Sequence, residues 1–169
     1  MIALRFFSLF LALMALTGFA RKSTLTVRAH VEANGAEGAP FAMPVKFKNP
    51  PRDGFMSSVP AISERNITGI YAIRADDGTW GCAFRLNMEG RIAIETLSRE
   101  HRGSSLVVFI ATKIGTHQVI DMVIDKPVND GILYVPRGMT ATEIVVLQKQ
   151  FKVIGPTGQK PVKTARRGN

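Results

Sequence analysis

A single cysteine, Cys82, excludes an intramolecular disulfide, so the fold has to rest on packing. Between Gly81 and Ala83 in an apolar run, that thiol reads as a small buried hydrophobe rather than a nucleophile. The chain also lacks a nucleophile elbow, a phosphate-binding glycine loop and a cluster of metal ligands at recognised spacing. No catalytic, cofactor-binding or metal-binding residue is therefore assigned, and the expectation is a protein that is not an enzyme. Acidic residues are scarce, 13 against 22 lysines and arginines, and the formal net charge is +9. Such an excess suits anionic partners such as phospholipid headgroups, nucleic acid or acidic protein segments, without choosing among them. Beyond the first 20 residues no stretch is long and apolar enough to span a bilayer.

What is present begins with a leader. Met1 to Arg5 is a short positive region, Phe6 to Leu16 an apolar run, and Thr17 to Ala20 supplies small residues where a signal peptidase cuts. Residues 1–20 are read as a signal peptide cleaved after Ala20. Retention as an anchor is the alternative, because Arg21, Lys22 and Arg28 make the far flank equally positive. No cysteine follows the small residues, which argues against a lipoprotein anchor. A periplasmic or secreted protein is expected, with one domain over 21–156 and a basic, disordered tail over 157–169. The 46% apolar content is enough to fill one such core. The tail carries Lys160, Lys163, Arg166 and Arg167 with no aromatic between them, which suits weak contact with an anionic surface and no specific nucleic acid.

Along the domain, Thr24 to Val31 alternates apolar and polar residues as a half-buried strand does, with His30 on the polar, exposed side. Prolines at 44, 50, 51 and 60 forbid a long helix; Val45-Lys46-Phe47 suits a short edge strand and Asn49 to Gly54 a turn. Val59 to Asn66 suits a helical turn with Glu64 and Arg65 facing solvent. Asn66-Ile67-Thr68 matches the glycosylation acceptor pattern, a weak signal. Ile70 to Arg74 and Trp80 to Leu86 are strands joined at Asp76-Asp77-Gly78, whose carboxylates read as turn residues rather than an acid–base pair.

Two helices carry the clearest local signals. Asn87 stands as an N-cap with Glu89 in the first turn; Gly90, Ala93, Ile94, Leu97 and His101 share one face, and Gly103 is a natural stop. His101 reads as a capping or partly buried residue. The second helix opens with a capping box of Thr140 and Glu143 and a staple of Met139 with Ile144, and buries Ile144, Leu147 and Phe151. Between the helices, Leu106 to Ile110 is a strand buried on both faces and so central. Val119 to Asp125 and Ile132 to Val135 are further strands, with Asp121 and Asp125 expected as exposed carboxylates on one face. The fold class is α+β, a mostly antiparallel β-sheet with two helices packed on one face. A ferredoxin-like plait is compatible with this element order.

Three segments, Phe84 to Gly90, Leu106 to Ile110 and Gly138 to Ile144, in this order and spacing, resemble the head subdomain of the large periplasmic domain of the SecD/SecDF protein-export proteins. The SecD-head-like core covers 84–151, and Met139 stands where that family has an aromatic residue. The resemblance implies a non-catalytic element that engages exported polypeptide outside the membrane, here freestanding because the proton-coupled work of that family needs transmembrane helices. An exported polypeptide or an envelope protein is then the expected partner, held by addition of an extended segment to a sheet edge. Two alternatives stand beside it. One is a basic envelope-surface protein that binds anionic lipid or polymer through its tail. The other is a secreted hydrolase built on Asp121, Asp125, His101 or His117, which no motif in the chain supports.

Overall fold

The computed structural model describes residues 25–155, the side chain of Glu37 excepted. The leader expected over 1–20 and the tail expected over 157–169 lie outside the described residues. Among the described residues, ten strands and two α-helices follow one another as β1 (Thr26–Ala33), β2 (Ala42–Lys48), β3 (Pro51–Ser57), β4 (Ile62–Ser63), β5 (Ile67–Arg74), β6 (Trp80–Leu86), α1 (Met88–Glu100), β7 (Ser105–Ala111), β8 (Thr116–Val123), β9 (Ile132–Met139), α2 (Ala141–Gln150) and β10 (Lys152–Val153). The class is α+β with mostly antiparallel pairing, and the strands divide between two sheets. One runs β2-β3-β1-β7-β8 with β4 also on β1; the other runs β10-β5-β6-β9, with only β10 parallel to its neighbour.

Both helices start where their caps place them. Asn87 accepts the Gly90 N–H at 2.8 Å, and Gly90, Ile94, Leu97 and Ser98 are the buried side of α1. Thr140 accepts the Glu143 N–H at 3.2 Å while Glu143 accepts the Thr140 N–H at 2.8 Å, closing the capping box of α2. His101 is the C-cap of α1, and Gly103 follows at φ +87°, a conformation that favours glycine. Ile94 and Leu97 of α1 and Ile144 and Leu147 of α2 join the inner residues of both sheets, among them Val27, Val108, Ile110, Phe84 and Val135, in one main core.

β7 is flanked by β1 and β8 and is buried on both faces, as its apolar run requires. Leu106, Val108 and Ile110 enter the main core, whereas Val107 and Phe109 point the other way into a second, smaller core with Val45, Phe47 and Met56. That second core exists because the β2–β3 hairpin, whose ladder with β1 is limited to Glu32–Met56 and Ala33–Phe55, arches over the outer face of β7 and reaches β8. The hairpin corrects several expectations. The edge strand is longer than Val45–Phe47, and only Asn49 and Pro50 form the turn, since β3 already starts at Pro51. His30, expected to be exposed, is 5% exposed because the hairpin covers the polar side of β1. Its Nδ1 lies 2.8 Å from the Ser57 carbonyl, so Nδ1 carries the hydrogen and donates, and the ring meets Phe109 edge-on at 5.9 Å. Burial is the main reason its pKa lies below the ordinary value.

Candidate functional site

The residues that a hydrolase would have needed are not brought together. Asp121, expected to be exposed beside Asp125, is 1% exposed, and its Oδ2 accepts the backbone N–H groups of Lys48 at 3.0 Å and Asn49 at 2.7 Å. Gln118 donates to the other oxygen at 3.0 Å. This carboxylate is a fastener for the hairpin, occupied on both oxygens. Asp125 lies beyond the end of β8, exposed, near the α1 C-terminus where Arg102 Nε donates to its carbonyl. His101 belongs to that same end, and His117 stands near the opposite end of β8. Asp77 accepts from the Thr79 N–H and hydroxyl at 2.9 and 2.6 Å, bonds that lower its pKa and mark it as a turn residue.

Two other expectations resolve in the same way. Cys82 is fully buried, and burial pushes its pKa up to about 12, so the thiol is inert. Asn66 of the acceptor pattern spends its side-chain oxygen on the Ser63 N–H and hydroxyl at 3.0 and 3.2 Å, which leaves it a structural residue of a 3-10 turn, Glu64–Asn66. Within that turn Arg65 is exposed as expected, whereas Glu64 is half-buried with Oε2 shielded from solvent.

A site no motif announced lies where the β7–β8 turn meets α2. Thr112 to Gly115 closes that turn, with the Thr112 N–H donating to the Gly115 carbonyl at 2.8 Å. Ile114 at its tip is wholly exposed. Facing it across an open groove of about 670 Å³ are Thr140, Thr142, Glu143 and Val146 of the α2 start, with Leu25 buried at the base. His117, on the inner face beside Ile110, brings Nε2 to 3.5 Å from Glu143 Oε1, while the other Glu143 oxygen is held by the cap. Gln150 fixes the groove's base, because its carboxamide pairs with both backbone groups of Leu25 at 3.0 Å. The walls are mainly apolar and hold one buried carboxylate, an arrangement suited to accepting side chains rather than transforming them. Sequence reasoning missed this groove; its one local sign is Ile114, a lone apolar residue in the polar run Thr112 to His117.

The sheet edges are guarded unequally. β2, at one edge, carries Pro44, Lys46 and Lys48, which deter pairing with another strand. β8 forms the other edge of that sheet, where its middle is blocked by β9: a Cβ on Gly138 would stand 2.5 Å from the Val119 carbonyl. Its first residues, Thr116 and His117, instead border the groove.

No family model matches the sequence, and no curated protein matches it. Solved structures do. The chain is similar to a structure of SecDF, described as a membrane component that enhances protein export, with a TM-score of 0.51 at 14% identity, covering 81% of this chain and 72% of that one. A second SecDF structure, in a super-membrane-facing form, gives a TM-score of 0.50 at 12% identity over 78% of this chain, which spans 19% of that one. These likenesses establish a SecD-like fold, and they reach well beyond residues 84–151. Among the described residues no helix is long and apolar enough to cross a membrane.

Proposed function

We propose that this chain is a non-catalytic extracytoplasmic accessory module of protein export, with residues 84–151 as the counterpart of the SecD head subdomain. Its partner on this reading is an exported polypeptide or an envelope protein in extended form. The observation that carries the proposal is the SecD-like fold over 81% of the chain, with an open apolar groove between the β7–β8 turn and α2. Apolar side chains of the segment would enter between Ile114, Leu25 and Val146, and its main chain would run beside Thr116 and His117 at the open end of β8. Recognition of that kind tolerates many sequences, which an accessory to export requires.

The test is chemical-shift mapping of the isotope-labelled chain with an unfolded, apolar-rich peptide. Shifts concentrated in Thr112 to His117 and Thr140 to Val146 are expected. Unmoved amides in both segments at saturating peptide would defeat the proposal.

A further inference from the structure

The pairing register of the second sheet sorts its residues into two faces. Ile70, Phe84 and Leu133 form one inner row and Cys82 with Val135 the next, all buried in the main core. The outer rows are Gly69, Arg85 and Ile132, then Tyr71, Ala83 and Tyr134, with Ile73 and Pro136 beyond them. An antiparallel sheet that simply faces water alternates apolar-in with polar-out. Here the outward positions are mainly tyrosine, isoleucine, alanine and proline, and among the described residues no helix or strand lies over them, Ile154 alone packing against Gly69. Tyr134 is 51% exposed, and Tyr71, Ile73, Ala83, Ile132 and Pro136 are partly exposed.

We propose that this outer face is a docking surface for an anionic phospholipid bilayer. Both tyrosines of the chain stand in a single row with Ala83 between them, about 10 Å apart at the spacing of adjacent strands. Each offers an apolar ring with a hydroxyl at its tip, the combination that settles at the headgroup level of a membrane. Cations border the rings. Arg85 is exposed in the neighbouring row, Lys152 of β10 is exposed opposite Gly69, and Arg137 lines a shallow hollow with Tyr134, Ile73 and Pro136, whereas the Arg74 guanidinium lies 5.0 Å over the Trp80 ring. The acids at this end are Asp76 and Asp77 of the β5–β6 turn, the second hydrogen-bonded to Thr79 and also stabilised by the charge of Arg137. A flat face with amphipathic rings and a basic border matches a plane of anionic headgroups. An extended peptide needs an edge or a groove, and the groove described above lies at the other sheet.

The experiment is co-sedimentation of the full chain with vesicles of phosphatidylcholine alone, or with about a third phosphatidylglycerol, at low and high salt. Strong binding to the anionic vesicles, weakened by salt and nearly absent with neutral ones, is expected. Replacing Arg85→Glu and Tyr134→Ser together should weaken it by about tenfold or more. A second pair, Arg137→Glu with Lys152→Glu, should act likewise without touching a tyrosine, and circular dichroism checks that both variants fold. Every variant keeps the basic tail. Binding equal to that of the parent in both folded variants would thus assign the interaction elsewhere and overturn the proposal. So would a parent that ignores anionic vesicles, including one that instead retains a single-stranded oligonucleotide.

Discussion

His30 and Asp121 stand on either side of Val107 in one cross-strand row over β1, β7 and β8, and all three are buried beneath the β2–β3 hairpin. The row joins two kinds of fastening. At one end His30 donates to Ser57 on the outgoing side of the hairpin; at the other Asp121 collects the two N–H groups at its tip. Between them Val107 and Phe109 supply the apolar contact with Phe47, Val45 and Met56. Glu32 adds a surface clasp, accepting from Arg52 at 2.7 Å and from the Ser105 N–H at 2.9 Å, while the Arg52 guanidinium lies 4.0 Å over the Phe47 ring.

Removing the Asp121 carboxylate strands the Lys48 and Asn49 N–H donors at the hairpin tip and leaves the partners of a buried group without it. Asp121→Ala should destabilise the chain by about 2–4 kcal/mol, and Asp121→Asn by less, because its amide oxygen still accepts. Urea unfolding measures both. A midpoint for Asp121→Ala within error of the parent would show that the hairpin tip is held by something else.

Acid should loosen the same hairpin in two stages. His30 resists protonation in the folded chain, so the unfolded chain takes up the proton first as pH falls below the ordinary histidine value of 6.5. Stability is complete above that value and declines as pH drops toward the folded pKa. Glu32 follows lower down. The hydrogen bond from Arg52 is the main reason its pKa lies below the ordinary 4.5, so its contribution is present above 4.5 and is lost as pH falls through the folded value. Unfolding midpoints measured from pH 7.5 to 3.5 should fall in both windows, and His30→Asn should abolish the upper decline. A parent whose stability is flat between pH 7 and 5 would refute the buried-imidazole account.

Much of the fold was legible because its signals are local. Asn87 and the Thr140–Glu143 pair announce helix starts within four residues, and Asp76-Asp77-Gly78 announces a turn. The unbroken run Leu106 to Ile110 announces burial on both sides. His30 and Asp121 were misread for a shared physical reason: alternation tells which way a side chain points, and not whether another part of the chain lies over that face. The cover comes from β2 and β3, whose prolines argue locally for turns. The groove was illegible for a similar reason, since Leu25, Ile114 and Val146 are far apart in sequence and meet only after the strands and α2 have packed.

Gly138 closes the approach of β9 to β8. Its φ is +98°, and a Cβ there would stand 2.5 Å from the Val119 carbonyl. Gly138→Ala combines backbone strain with a clash against main chain that has no flexible end to move, so a loss of about 2–4 kcal/mol is expected. Gly78, also at positive φ but with open space around its α-carbon, is the control; alanine there should cost about 1 kcal/mol or slightly more. Equal losses at the two positions would show that strain alone, and not the meeting of the two sheets, sets the requirement at 138.

Ile114 separates binding from stability. Its side chain is wholly exposed at the lip of the groove, so Ile114→Ser removes no buried contact and should leave the unfolding midpoint within about 0.5 kcal/mol of the parent. If apolar side chains of an extended polypeptide lodge against it, burying an isoleucine contributes about 1.5–3 kcal/mol, and its loss weakens peptide affinity by roughly tenfold or more. Glu143→Gln is the companion. The glutamine oxygen can still accept the Thr140 N–H, so α2 keeps its cap while the groove loses its buried charge. Titration of a fluorescent apolar-rich peptide against parent, Ile114→Ser and Glu143→Gln gives the comparison. Weakening by Ile114→Ser with an unchanged effect of Glu143→Gln on a neutral peptide would mark the groove as an apolar acceptor, whereas identical affinity for all three would move the binding surface away from the β7–β8 turn.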